Sequence, residues 1–288
     1  MNSINGKTKT LGLIGNPVEH TMSPFIQNLF AEHMGINMVY VPFHVEKGRL
    51  EGAIIGAKAL SLIGNNITVP YKVDVLSFID VLDQRAKIIG AANTLKYSDD
   101  QVFGYNTDAA GFLTSCQNEG VFFEDKVVCI LGAGGAAKAI SVVCAEQKAK
   151  KLIIVNRTLD KAEALKNTIQ QYFNIEIEVQ DYAEVLKLKE ANICIQTTSI
   201  GMYPNIKETP IGESTFFRNL EWAIDAIYNP SETRFLSLAR ENGVKTLNGL
   251  GMLYYQAVKA FEIWHDVIIP QPIIEKCFKL FNDYIYSR

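Results

Sequence analysis

Two sets of residues in this chain have types and spacings suited to work on an anion. In the first, the apolar run Val127 to Leu131 passes directly into Gly132-Ala133-Gly134-Gly135-Ala136-Ala137. A strand that ends in such a turn and opens a helix can cradle a pyrophosphate: Gly132 permits a tight turn, Gly134 lets the backbone come close, and Ala137 stands where a small residue lets helix and strand pack. The first amides of the helix then face the anion. A bare glycine pattern also describes an ordinary alanine- and glycine-rich turn, and it is the flanking strand and helix that favour a dinucleotide. After the next strand comes Asn156-Arg157-Thr158, where a domain that binds NAD usually places Asp or Glu on the ribose hydroxyls. A guanidinium there can grip a 2′-phosphate bidentately, and no carboxylate opposes it, so the expected cofactor is NADP rather than NAD. The alternative is a solvated surface arginine.

The second set is a group of polar segments beside apolar strands: Asn65-Asn66-Ile67-Thr68-Val69-Pro70-Tyr71-Lys72, Ala91-Ala92-Asn93-Thr94, and Asn106-Thr107-Asp108. Each alone is compatible with turn chemistry, because Asn, Asp and Thr cap turns by bonding their own backbone. Together they bring Lys72, the Asp108 carboxylate and several amides and hydroxyls to strand ends of one sheet, where open α/β sheets bind ligands. His20, His33, His44 and His265 show no ligand spacing and are read as non-catalytic. The five cysteines are scattered and never form a CxxC pair, so neither a disulfide framework nor a metal site is expected.

The elements that must position these residues alternate. Leu11 to Ile14 reads as a strand closed by Gly15-Asn16-Pro17, and Ser23-Pro24 as the N-cap and first-turn proline of a helix ending near Gly35. Met38 to Val45 is expected as a strand, Lys47 to Leu60 as a helix, Leu62 to Val69 as a strand with loop, and a further helix reaches about Ile89. Leu95 to Tyr97 and Gln101 to Tyr105 flank Ser98-Asp99-Asp100 as a hairpin, so one strand must run against its neighbour. A second series places strands at Val127 to Leu131, Leu152 to Val155, Ile175 to Val179, Asn192 to Gln196 and Trp222 to Ile227. Leu250, Leu253, Tyr254, Ala257, Phe261 and Trp264 then follow helical spacing, as do Ile274, Cys277, Phe278, Phe281 and Ile285. These two amphipathic helices are expected to pack back on the first series.

The expected fold class is α/β in two domains with a cleft between them. Residues 1-108 plus 248-288 form a discontinuous substrate domain with a mostly parallel sheet, and residues 109-247 form a Rossmann-like NADP-binding domain. The length of 288 residues suits two domains of roughly 150 residues each. With 48% hydrophobic residues and nine prolines the composition is globular, which excludes disordered and low-complexity classes. Against 31 acidic residues stand 28 basic ones, a net charge of −3, so no broad basic field is present to hold nucleic acid or an anionic membrane, and the partner is expected to be a small molecule. No signal peptide or span of ~18 apolar residues is seen, and unpaired cysteines suit the cytoplasm, the expected location.

Gly15-Asn16-Pro17 with His20-Thr21-Met22-Ser23-Pro24, Asn66-x-Thr68-x-Pro70-x-Lys72, Ala92-Asn93-Thr94 and Asn106-Thr107-Asp108 form an ordered set. Gly132 to Ala136, Asn156-Arg157-Thr158, Thr198-Ser199-x-Gly201-Met202, Tyr228-Asn229-Pro230 and Gly249-x-Gly251-Met252-Leu253-x-x-Gln256 extend it. Over nearly the whole chain this set resembles the shikimate dehydrogenase family. The resemblance implies reversible NADPH-dependent reduction of 3-dehydroshikimate to shikimate, a step toward chorismate and the aromatic amino acids. The competing expectations are a quinate/shikimate dehydrogenase with relaxed substrate or cofactor choice and a non-catalytic NADP-binding regulatory protein, against which the intact Lys72 and Asp108 argue.

Position by position, the resemblance implies that the hydroxyls of Thr21 and Ser23 hold the substrate carboxylate. It places Asn66, Thr68, Asn93, Asp108, Tyr228 and Gln256 around the ring, and makes Lys72 and Asp108 the catalytic pair. The chemistry agrees, since an alkoxide forming on a reduced ketone needs a proton donor and a positive charge. Which of the two transfers the proton stays open. On the cofactor it places Gly132, Ala133, Gly134, Gly135, Ala136, Asn156, Arg157, Thr158, Thr198, Ser199, Met202 and Gly249; Met202 lies against the nicotinamide or serves packing alone. Thr21 departs from the family, which usually has serine there, and the added methyl bears on shikimate against quinate. Ala109-Ala110 replaces a common glycine and is read as helix propensity. The assembly is expected to be a monomer or a homodimer.

Overall fold

The first apolar run forms β1 (Lys9–Gly15), whose last five residues are all buried, as a strand covered on both faces requires. It is followed by α1 (Ser23–Met34), β2 (Met38–His44), α2 (Leu50–Ala59), β3 (Gly64–Ile67), β4 (Val81–Leu82), α3 (Gln84–Ile89), β5 (Thr94–Ser98), β6 (Gln101–Tyr105) and α4 (Thr107–Asn118). The computed structural model describes residues 4–287. The chain divides into two units, Met1–Gly111 with Tyr254–Arg288 and Phe112–Leu253, and passes from one to the other inside a helix each time.

The sheet of the first unit has the order β2-β1-β3-β5-β6-β4. Only β5 runs against its neighbours; the other pairings are parallel. The hairpin of β5 and β6 closes on Asp99 and Asp100, whose φ of 50° and 63° are the left-handed values that a two-residue hairpin turn demands.

Three local expectations need correction. Ser23 does not cap α1 from outside: it is already helical, and the cap position falls to Met22, which makes no side-chain cap bond. α2 starts at Leu50 rather than Lys47, after Gly48 turns the chain with a φ of 82°. The helix expected up to Ile89 is broken into a 3₁₀ turn at Asp74–Phe78, β4, and α3. Asp80 pulls the chain onto the sheet edge, its amide donating to the Val102 carbonyl at 2.9 Å and its carboxylate accepting the Val102 amide at 2.7 Å. Asp83 then caps a new helix, taking the Arg85 and Ala86 amides.

The second unit carries β7 (Val127–Leu131), α5 (Gly135–Glu146), β8 (Lys151–Val155), α6 (Leu159–Gln170), β9 (Glu176–Gln180), β10 (Ile193–Gln196), β11 (Trp222–Asp225), α7 (Arg234–Glu241) and β12 (Lys245–Leu247). α8 (Leu250–His265) and α9 (Gln271–Tyr286) complete the chain. The second sheet has the order β12-β11-β10-β7-β8-β9 with every pair parallel. Counted from its own first strand, that is the doubly wound Rossmann order, reversing direction at β7. Its core gathers Leu131, Ile153, Val155, Cys194, Phe217 and Phe235. β4 and β12 have two and three residues, too few to show a period in the sequence.

In the first unit the C-terminal helices supply core. Phe30 meets Tyr254 and Phe261 edge-on, Phe25 stacks on Tyr284 at 3.9 Å, and the Trp264 indole donates to the Leu95 carbonyl at 2.8 Å.

Candidate active site

β3 ends on the polar loop that carries Lys72, β5 begins just after Asn93, and β6 leads into α4, whose first turn holds Asp108. The register Asn66↔Thr94 and Thr94↔Tyr105 brings these three ends together. Lys72 Nζ donates to Asp108 Oδ2 at 2.6 Å, and Asn93 Nδ2 donates to Asp108 Oδ1 at 2.8 Å. The carboxylate is thus held on both oxygens and sits where the helix dipole favours an anion. Side-chain exposures of 32% for Lys72 and 19% for Asp108 leave the pair partly open to a ligand. The Lys72 carbonyl also accepts the Ala92 amide at 2.9 Å, tying the loop to its neighbour.

Asn93 is the hub. Its Oδ1 accepts the Thr107 amide at 2.8 Å, the Thr107 hydroxyl at 3.1 Å and the Thr94 hydroxyl at 3.0 Å. Gln256, on α8, reaches the Thr107 hydroxyl at 3.4 Å. Asn66 donates to the Asn93 carbonyl at 3.1 Å and to the Thr94 hydroxyl at 3.0 Å, so both its amide hydrogens are used inside the protein. Its Oδ1 accepts from Tyr40 at 2.6 Å, and the Ser23 side chain also bonds that phenol, whose pKa burial pushes well up. Thr21 Oγ1 donates to Ser23 Oγ at 3.3 Å and accepts the Ser23 amide at 3.3 Å, which ties the two hydroxyls together at the start of α1. Thr68 follows β3, half-buried, with its methyl group against Gly15.

Within the first unit the structure therefore links Lys72, Asn93, Asp108, Asn66 and Gln256 in one network and pairs Thr21 with Ser23. Tyr228 belongs to the second unit, in the turn after β11, half-buried, with burial pushing its phenol up. The parts played by Tyr40 and Thr107 escape sequence reasoning: both are buried, and only the fold shows what their hydroxyls meet.

In the second unit the glycine turn joins β7 to α5. Gly132 has a φ of 112°, and a Cβ there would lie 2.6 Å from the Thr197 hydroxyl, so only glycine fits. Gly134 and Gly135 are exposed, and a Cβ on either would meet nothing within 4 Å. The first amides of α5 have no intrahelical acceptor. Arg157 is exposed and its guanidinium has no ion-pair partner among the described residues. Open room over the glycines, free helix amides and an unopposed guanidinium fit a dinucleotide that ends in a 2′-phosphate. Lys161, exposed one turn further on, adds a second cation that no motif in the sequence singles out.

Other residues of the cofactor set shape loops. Asn156 donates to the Thr158 carbonyl at 2.7 Å. The Thr198 amide and hydroxyl both donate to the buried Gln196 at 2.9 Å, a partner invisible in the sequence. Ser199 and Met202 are exposed beyond it. Gly249 has no room for a side chain, since a Cβ would lie 2.1 Å from the Ala226 carbonyl oxygen. Among the described residues no cluster of His, Cys, Asp or Glu could hold a metal ion, and no helix is long and apolar enough to cross a membrane.

Two family profiles match: "shikimate dehydrogenase substrate binding domain" over residues 13–95 and "shikimate / quinate 5-dehydrogenase" over residues 116–209. A protein of Methanocaldococcus jannaschii named shikimate dehydrogenase (NADP(+)) is 42% identical over 283 residues, covering 96% of this chain and 100% of the relative. One of the same name from Caldanaerobacter subterraneus is 42% identical over 261 residues, covering 91% and 93%. The crystal structure of shikimate 5-dehydrogenase from Listeria monocytogenes in complex with shikimate and NAD superposes with a TM-score of 0.90 at 32% identity, covering 96% of this chain and 98% of that one. With the glycine turn, the unopposed arginine and the Lys72–Asp108 pair in place, this chain belongs to the shikimate dehydrogenase family of NADP-dependent oxidoreductases.

Proposed function

We propose that this protein catalyses the reversible NADPH-dependent reduction of 3-dehydroshikimate to shikimate and works in the reductive direction, toward chorismate and the aromatic amino acids. The observation that carries the reading is the Lys72 ammonium 2.6 Å from an Asp108 carboxylate that Asn93 also holds. When bound, the reduced nicotinamide supplies a hydride. The substrate oxygen becomes an alkoxide as its carbon is reduced, and Lys72 offers it both a proton and a positive charge. Asp108 orients the ammonium and shares the hydrogen bond of the product hydroxyl. Thr21 and Ser23 offer hydroxyls to the substrate carboxylate, and Thr68, Asn93 and Gln256 offer polar groups to the ring. In this reading residues 1-108 plus 248-288 bind substrate and residues 109-247 bind the nucleotide. Five free, buried cysteines support a place in the cytoplasm.

The test is oxidation of shikimate with NADP by purified protein from neutral to alkaline pH; absence of turnover overturns the reading. Growth of an aromatic-auxotrophic host that lacks its own enzyme, restored by this chain, tests the biosynthetic direction. Thr21 favours a second reading, relaxed substrate choice, because its methyl changes the room beside the carboxylate. A quinate kcat/KM within tenfold of that for shikimate would establish it.

A further inference from the structure

Asp225 ends β11 and is wholly buried. Its Oδ1 accepts the Ile227 amide at 2.9 Å and its Oδ2 accepts the Thr233 hydroxyl at 2.7 Å. These donors bracket the segment from Ala226 to Thr233. Thr233, itself 1% exposed, accepts the Leu236 amide and caps α7, so the far end of the bracket is anchored to a helix. Inside it, the Ile227 carbonyl accepts the Gly249 amide at 2.9 Å, and the Ala226 carbonyl oxygen fills the space a Gly249 side chain would need. One buried carboxylate therefore sets the turn Ala226–Tyr228 and, through it, Gly249.

No cation offsets this charge among the described residues. On α7, Arg234 pairs with Glu241 and Arg240 with Glu232. β12 brings Leu247, and Phe112, Ser115 and Met252 line the same small pocket. The ionisable group that faces it is the Cys194 thiol on β10, also wholly buried. Desolvation accordingly raises the Asp225 pKa to about 7, against the smaller opposing effect of its two donors. A buried ion without a counter-ion destabilises a fold, and an uncharged residue of similar shape would serve stability alone better.

We propose that Asp225 is a positioning residue for the cofactor: without touching the nucleotide, it holds the turn after β11 and, through that turn, Gly249, which the family resemblance places on the cofactor, where the nucleotide must meet it. The proposal rests on the dehydrogenase reading above. Its test uses Asp225→Asn, which keeps the shape and one acceptor but sets an amide against the Thr233 hydroxyl. NADPH affinity is read by nicotinamide fluorescence without substrate, and thermal midpoints are read at pH 8. The expected result is an NADPH Kd raised about tenfold, the loss of one charged hydrogen bond, with a midpoint equal to or above that of the wild type. An unchanged Kd overturns the proposal, and so does a lowered midpoint, which would make the carboxylate merely structural. Should that variant not fold, Thr233→Val is expected to weaken NADPH binding and Thr233→Ser to restore it; equal affinities in the two overturn the proposal. Wild-type protein that binds no NADPH would instead overturn the dehydrogenase reading, and this proposal with it.

Discussion

Lys72 donates to Asp108 across 2.6 Å, joining the loop after β3 to the first turn of α4. The bond fixes the direction in which a flexible lysine presents its remaining protons. Asp108 is in turn fixed by Asn93, and Asn93 by the Thr107 amide, so the ammonium is aimed by a chain of side chains anchored on backbone.

Replacing Lys72 by Ala should therefore lower kcat by ~100-fold or more, the size expected for loss of a general acid/base, while the NADPH Kd stays near wild type. Steady-state rates with shikimate and fluorescence titration of NADPH check the two halves separately. Wild-type turnover would remove Lys72 from the mechanism.

Arg157→Ala should weaken NADP by roughly 10- to 100-fold, the worth of a charged hydrogen bond or two, and leave the weaker binding of NAD almost unchanged. Comparison of kcat/KM for the two cofactors reads the difference. Equal losses for both would show that the guanidinium does not recognise the 2′-phosphate.

Gly249→Ala places a Cβ 2.1 Å from the Ala226 oxygen and 2.5 Å from its carbon, so backbone must move. A destabilisation of about 1–3 kcal/mol is expected, seen as a lower denaturation midpoint. Gly52→Ala, in α2 with open space around it, is the control and should stabilise by about 0.5–1 kcal/mol. Similar midpoints for the two variants would contradict the packing at Gly249.

Asp225 gives stability a pH dependence of definite sign. Its folded pKa, about 7, lies above the usual carboxylate value. The stability it contributes is therefore fully present below pH ~4 and is lost as the pH rises toward ~7, by up to about 4 kcal/mol. Relative to Asp225→Asn, wild-type protein should lose several degrees of thermal midpoint between pH 5 and pH 8. A constant difference between the two proteins across that range would show that Asp225 does not titrate there.

Legibility in the sequence follows local signal. The glycine turn, the run of alternating strands and the apolar faces of α8 and α9 announce themselves by period and residue type. Ser23 misleads because a serine before a proline suits both the cap and the first turn, and only backbone angles separate the two. The helix expected before Ile89 fails through Asp80, whose bonds to Val102 come from 22 residues away. Tyr40, Thr107 and Gln196 acquire their roles by being buried against other groups, and no residue type or spacing announces such a contact.

The reversed strand β5 has a consequence far from the chemistry. In an all-parallel sheet, strand beginnings and strand endings lie on opposite rims. Here the beginning of β5, with Asn93 and Thr94, shares a rim with the endings of β3 and β6, and so Asn66, Asn93 and Asp108 can meet. What holds that alignment is the two-residue turn at Asp99 and Asp100, on the opposite rim. A slip of one residue there would turn the side chains of β5 to the other face. That turn therefore bears on the site from the opposite rim: an insertion in it that shifted the register of β5 would part Asn93 from Asn66 and Asp108 without altering any of the three.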